Sequence, residues 1–119
     1  MKYTNLEKAE NITKSDYSKK VLFSLQDFLP KAHQLQTVTI PPQTRQRSHY
    51  HTIQTEVFYI LEGQGEVGLA GEVYDARPGD AFICSPNEIH YYWNKTDSNF
   101  VFLVFKIDYP EVDDTVWLE

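Results

Sequence analysis

Between residues 35 and 107 the chain is a succession of short apolar or alternating runs, each roughly four to eight residues long and each closed by a turn signal. An amphipathic helix of ordinary length does not fit between such stops. Leu35–Ile40 alternates and halts at Pro41-Pro42, and Thr44–His51 alternates again. Glu56–Leu61 is dense in apolar side chains and halts at Glu62-Gly63. Gly65–Ala70 and Glu72–Ala76 flank Gly71 as the arms of a hairpin, and Pro78-Gly79-Asp80 makes a turn. Ala81–Cys84, His90–Asn94 and Phe100–Ile107 complete the set, with Pro86 and Asn87 in the turn between the first two. About eight to ten short strands at this spacing imply an all-β sandwich or barrel.

The ends of the chain read differently. Residues 1–20 are polar and mixed in charge, and form a flexible or peripheral arm. Val21–Ser24 is a short strand candidate. Ser24 and Asp27 have the spacing of a capping box, with Asp in place of the preferred Glu or Gln, and Pro30 closes the helical turn that follows. The acidic tail 108–119 carries Trp117 and Leu118, which pack on the barrel or on a second subunit. No repeat or low-complexity linker interrupts 21–119, so that span is one domain. Aromatic residues at 14% supply its core.

Charge and composition exclude several roles. The net charge is −6 with no Lys/Arg run, which disfavours nucleic-acid binding. No stretch reaches the roughly 18 apolar residues of a membrane helix, and the N-terminus has no apolar leader core. A single cysteine, Cys84, agrees with a reducing compartment. A cytoplasmic location is expected.

The residues that carry chemistry are histidines. His49 and His51 stand two apart on a strand, so both imidazoles project from one face. Glu56 opens the next run after a four-residue turn, and His90 opens another strand beyond a Pro-Asn turn. Three imidazoles and one carboxylate suit Fe, Mn, Ni, Co, Cu or Zn, and an octahedral ion would keep two positions open. Taken alone, a His-x-His pair is more often two surface side chains than a metal site.

The wider pattern resembles the cupins. His49-Tyr50-His51, four residues, Glu56, six residues and Gly63 match the first cupin motif. Gly79, the run Ala81–Cys84, His90 and Asn94 fall in register with the second. The likeness spans roughly residues 38–107. Gln43 stands where the first motif often has Gly, Ser85 replaces Pro, and Asn87 replaces Gly in a turn that Asn tolerates. The resemblance implies a jelly-roll barrel, or double-stranded β-helix, that holds one divalent transition metal on His49, His51, Glu56 and His90. It also implies a homodimer. Within the sequence only the apolar run Phe100–Ile107 and Trp117 hint at such pairing.

Strand parity extends the site. Arg45 and Arg47 share the parity of His49 and His51, so in an unbroken strand they face inward, and Arg47 could grip a substrate carboxylate or phosphate. Phe58 and Ile60 share the parity of Glu56, Tyr92 shares that of His90, and Gln54 lies in the loop between ligands. Arg47, Gln54, Phe58, Ile60 and Tyr92 are expected to line a small-molecule pocket, with Arg47 and Tyr92 as candidate catalytic groups. The function expected is that of a metal-dependent enzyme on a small polar or anionic metabolite, with dioxygenase-type chemistry favoured. The alternatives are a metal-dependent isomerase, lyase or decarboxylase, and a non-catalytic binding cupin. Residues 1–20 are too short for a helix-turn-helix, and storage relatives are longer two-domain proteins.

Overall fold

The computed structural model describes residues 2–119. Two antiparallel sheets face one another. The first, six-stranded, joins β1 (Asn11–Thr13), β2 (Ser18–Phe23), β3 (His33–Ile40), β10 (Phe100–Ile107), β5 (Thr55–Glu62) and β8 (Ala81–Cys84) in that spatial order. The second, five-stranded, joins β11 (Thr115–Trp117), β4 (Thr44–His51), β9 (His90–Asn94), β6 (Gly65–Leu69) and β7 (Glu72–Ala76). This is the jelly-roll arrangement. The strands anticipated from the sequence are present, and one turn of 3-10 helix spans Leu25–Asp27. At its start the Asp27 carboxylate accepts from the Ser24 N–H at 3.0 Å.

The inner face of the first sheet is graded. β10 lies in its middle, paired with β3 on one side and β5 on the other, and alternates strictly between buried and half-buried positions. Phe100 lies beside Ile40, Phe102 beside Val38 and Ile60, and Val104 beside Gln36 and Phe58. Lys106 lies beside Gln34 and Glu56. One end of the interior is therefore hydrocarbon and the other is amide, ammonium and carboxylate. The opposing sheet repeats the gradient, because β9 points His90, Tyr92 and Asn94 inward in turn. Asn94 closes the apolar end by donating to the Ile40 and Ser98 carbonyls at 2.9 and 2.7 Å.

The ends of the chain join the sheets. Residues 11–20, expected to be an arm, supply β1 and half of β2, which pair with each other and with β3. The tail adds β11 to the edge of β4. The Phe100–Ile107 run is apolar because it is the buried centre of a sheet, and Trp117 packs on His49 with ring centroids 4.6 Å apart. Two motif departures keep the backbone of the residue they replace. Gln43 and Asn87 adopt φ of 55° and 70°, the left-handed region that Gly ordinarily occupies.

Gly63 and Gly71 both have positive φ, but their surroundings differ. A Cβ at Gly63 would collide with the Asn99 carbonyl, whereas at Gly71 it meets open space. Gly71→Ala is expected to cost about 1–2 kcal/mol of backbone strain. Gly63→Ala should cost about 2–5 kcal/mol, since the neighbouring backbone must also move. Denaturant unfolding of the two variants checks this, and equal losses would contradict it.

Candidate metal centre

β4 delivers two of the site's histidines through an interruption. Gln46 pairs with Tyr92 and His49 with His90, so three steps on β4 match two on β9. The extra residue is a β-bulge, which re-aims the side chains that precede it. Beyond the bulge His49 and His51 both turn inward. His90 begins β9 directly opposite His49, and Glu56 enters from the other sheet at the start of β5. The imidazole centroids lie 4.2 Å apart for His49–His90, 5.2 Å for His51–His90 and 5.3 Å for His49–His51. One ligand atom from each of His49, His51, Glu56 and His90 falls within 4.8 Å of the others, and all four residues are buried.

The hydrogen bonds of His49 and His90 orient their rings in the same sense. His49 Nδ1 lies 2.8 Å from the Arg47 carbonyl and His90 Nδ1 lies 3.1 Å from that of Glu88. A carbonyl oxygen only accepts, so both Nδ1 atoms carry the hydrogen. His51 Nδ1 lies 3.0 Å from Thr115 Oγ1, with an Asp114 carboxylate oxygen 4.0 Å away. The Nε2 atoms of neutral rings are then left as bare lone pairs. Those of His51 and His90 are buried without a hydrogen-bond partner, and both face Glu56 Oε1. Lone pairs opposing a carboxylate repel unless a positive charge lies between them. A divalent transition metal meets that requirement, and the donor set suits one.

The protonation pattern without a cation shows the same demand. Burial and the neighbouring His90 push His49 down to about 3. Burial also works against protonation of His90, but its contacts with Cys84 and Glu56 prevail and raise it to about 10. Burial opposes ionisation of Glu56, yet the Lys106 charge, then the close approach of His51 and His90, hold its carboxyl well below the usual range. A single proton on His90 stands in for the cation.

A buried polar chain supports Glu56 from behind. Lys106 Nζ lies 3.9 Å from Glu56 Oε2 and donates to Gln54 Oε1 at 3.2 Å. Gln54 Nε2 in turn donates to Asp114 Oδ1 at 2.6 Å, while the Ile53 and Gln54 N–H groups donate to Asp114 Oδ2. The loop before Glu56 is thereby fixed to the segment that presents Thr115 to His51.

A cavity of about 60 Å³ adjoins the cluster. Tyr92 lines it, as expected from parity. Phe58 and Ile60 point inward but lie behind it in the core, and Gln54 acts on Lys106 instead of reaching the cavity. The inward placement of Arg45 and Arg47 is overturned by the bulge, and Gln46 takes the inward place instead. Arg45 bonds Glu119 and stacks on Tyr91. Arg47 donates to Asp16 at 3.1 Å and stacks on Trp117, 41% of its side chain remaining exposed. Sequence reasoning missed Gln46, Lys19, Lys106, Thr115 and Trp117, which also line the cavity. The parity of Lys106 with Phe102 and Val104 was available as a signal, whereas the bulge left none.

The fold and the cluster together define a jelly-roll barrel able to bind metal. A family model for the cupin domain matches residues 36–106, and the chain belongs to that family. It is 36% identical over 64 residues to the quercetin 2,3-dioxygenase of Bacillus subtilis, a stretch covering 54% of this chain and 18% of that one. It is 28% identical over 71 residues to an uncharacterized protein of Aquifex aeolicus, covering 60% and 59%. The chain thus spans less than two thirds of either relative's length. Among solved structures, a predicted oxalate decarboxylase from Thermotoga maritima superposes with a TM-score of 0.79 at 23% identity, covering 89% of this chain and 98% of that one. The polyketide cyclase RemF from Streptomyces resistomycificus gives 0.82 at 20% identity, covering 100% and 87%. At these identities the structures share the fold.

Thr115 acts on metal only through the tautomer and tilt of His51. Thr115→Val is expected to weaken Zn²⁺ or Co²⁺ affinity by about tenfold or more, while Thr115→Ser retains it. Competition with a chromophoric chelator reads the difference, and equal affinity in all three proteins would remove the role of the hydroxyl.

Proposed function

We propose that this cupin is a metal-dependent enzyme acting on a small polar or anionic metabolite, with dioxygenase-type chemistry as the first assignment. The observation that carries the reading is the set of Nε2 lone pairs and one carboxylate converging beside a cavity. When bound, a divalent transition metal would supply a Lewis-acidic centre with free positions, and a redox-active one would also engage dioxygen. His49, His51, Glu56 and His90 would hold it. Tyr92 is buried, and burial first, then the charges near Glu56 and Cys84, keep its phenol well above its ordinary pKa. It therefore acts as a neutral hydrogen-bond or proton donor to substrate. Val38, Phe102 and Val104 form an apolar wall that limits water.

The stretch similar to quercetin 2,3-dioxygenase supports the oxygenase assignment. A second reading, lyase or decarboxylase chemistry without dioxygen, draws on the cavity itself. At about 60 Å³ it takes a compact acid more readily than a polyphenol. The homodimeric state implied by the resemblance and the cytoplasmic setting expected from the sequence belong to the same proposal, and sedimentation at the mass of one chain at every concentration would remove the dimer.

Elemental analysis of protein purified without added metal is expected to give about one transition metal per chain, lost in the His49→Ala, His51→Ala double variant. Equal trace content in both proteins would defeat the reading. Protons compete for the imidazole lone pairs, so metal should dissociate as pH falls from neutral to about 4. A flat content over that span argues against histidine ligation. Oxygen consumption by the Fe(II)-loaded protein on small acids and phenols separates the two chemistries. Turnover without oxygen uptake selects the second.

A further inference from the structure

We infer that Lys19 anchors the carboxylate of a short organic acid that enters the cavity beside the metal cluster, an inference that deepens the reading above and rests on it for the ion. Lys19 projects from β2 opposite Val38 and lines the cavity together with Gln36, Gln46, Tyr92 and Lys106. The cavity's other lining cation, Lys106, and the two arginines of β4 are already engaged. Lys106 serves Gln54 and Glu56, Arg47 serves Asp16, and Arg45 serves Glu119. Among the described residues Lys19 has neither an ion pair nor a hydrogen bond from its amine.

The amine is also partly buried. Burial, then the charges of Lys106 and Lys14, hold its ammonium below the ordinary pKa, and Asp113 offsets this only in part. Two ammonium groups thus face one cavity, and Glu56 is the single carboxylate among its described lining residues. A divalent ion would add to the excess. An anionic ligand removes that imbalance, in a chain whose overall charge of −6 otherwise repels anions. The volume leaves room for a few water-sized groups, which fits a short acid. Gln46 lines the same space, and its Oε1 is buried without a hydrogen-bond donor.

The probes are glycolate and its neutral analogue glycolamide, titrated calorimetrically into wild type, Lys19→Met and Lys19→Arg. Each protein is used both loaded with Co²⁺ and metal-free, with metal content measured on every sample. Glycolate should bind the loaded wild type, with glycolamide at least about tenfold weaker. Lys19→Met should lose glycolate affinity by about tenfold or more, Lys19→Arg should keep most of it, and metal content should match in all three. Equal glycolate affinity in wild type and Lys19→Met overturns the inference and leaves the metal reading intact. So does glycolamide binding as tight as that of glycolate, or no glycolate binding at all. Failure of wild type to load metal overturns the preceding reading instead, and the metal-free titrations then decide Lys19 by the same comparison.

Discussion

Three neutral imidazoles and a carboxylate cannot share a buried point while all of them present lone pairs to it. In this chain the alternative of turning a ring is closed. The Arg47 and Glu88 carbonyls hold the Nδ1 hydrogens of His49 and His90, and Thr115 holds His51. The rings are therefore aimed before any ion arrives. The cost of that aim is electrostatic, and in the absence of a cation it is relieved by a proton on His90.

The graded interior follows from where this demand is placed. At one end Phe100, Ile40 and Asn94 fill the space between the sheets and leave nothing to bind. At the other, Lys106 replaces the next hydrocarbon in the β10 sequence and neutralises Glu56 across the sheet. A buried lysine is costly unless it is paired and hydrogen-bonded. Here Gln54 accepts from it, and Asp114 in turn accepts from Gln54 and from the loop that precedes Glu56. The same chain of contacts fixes Glu56 and sets the backbone ahead of it.

Much of this was legible in the sequence, and the remainder was hidden for definable reasons. Period-two alternation and turn residues gave the strands, and His49, His51, Glu56 and His90 stood at spacings that resemble the cupin motifs. Parity also placed Tyr92, Phe58 and Ile60 inward correctly. It failed on β4, because a one-residue bulge inverts the strand's faces without marking the sequence. Arg45 and Arg47 thereby moved outward and Gln46 moved in. Asp114 and Thr115 were out of reach for a different reason. Their importance depends on the tail pairing with β4 across some sixty residues of chain, and local pattern does not report such a contact.

The segment that looked least informative sets the character of the pocket. Residues 11–20 have no dense apolar run, yet β1 and β2 extend the first sheet until Tyr17 and Lys19 face the mouth opposite Thr115 and Trp117. The far side of this opening is tied down from both ends of the chain. Asp16 holds Arg47, Arg47 stacks on Trp117, and Trp117 packs on His49. The barrel core thus supplies the metal cluster, while the two chain ends supply the walls that a ligand meets first. In the tail, Thr115 and Trp117 also touch His51 and His49, so a substitution there would alter the wall and the cluster together, whereas Tyr17 and Lys19 belong to the wall alone in the contacts described.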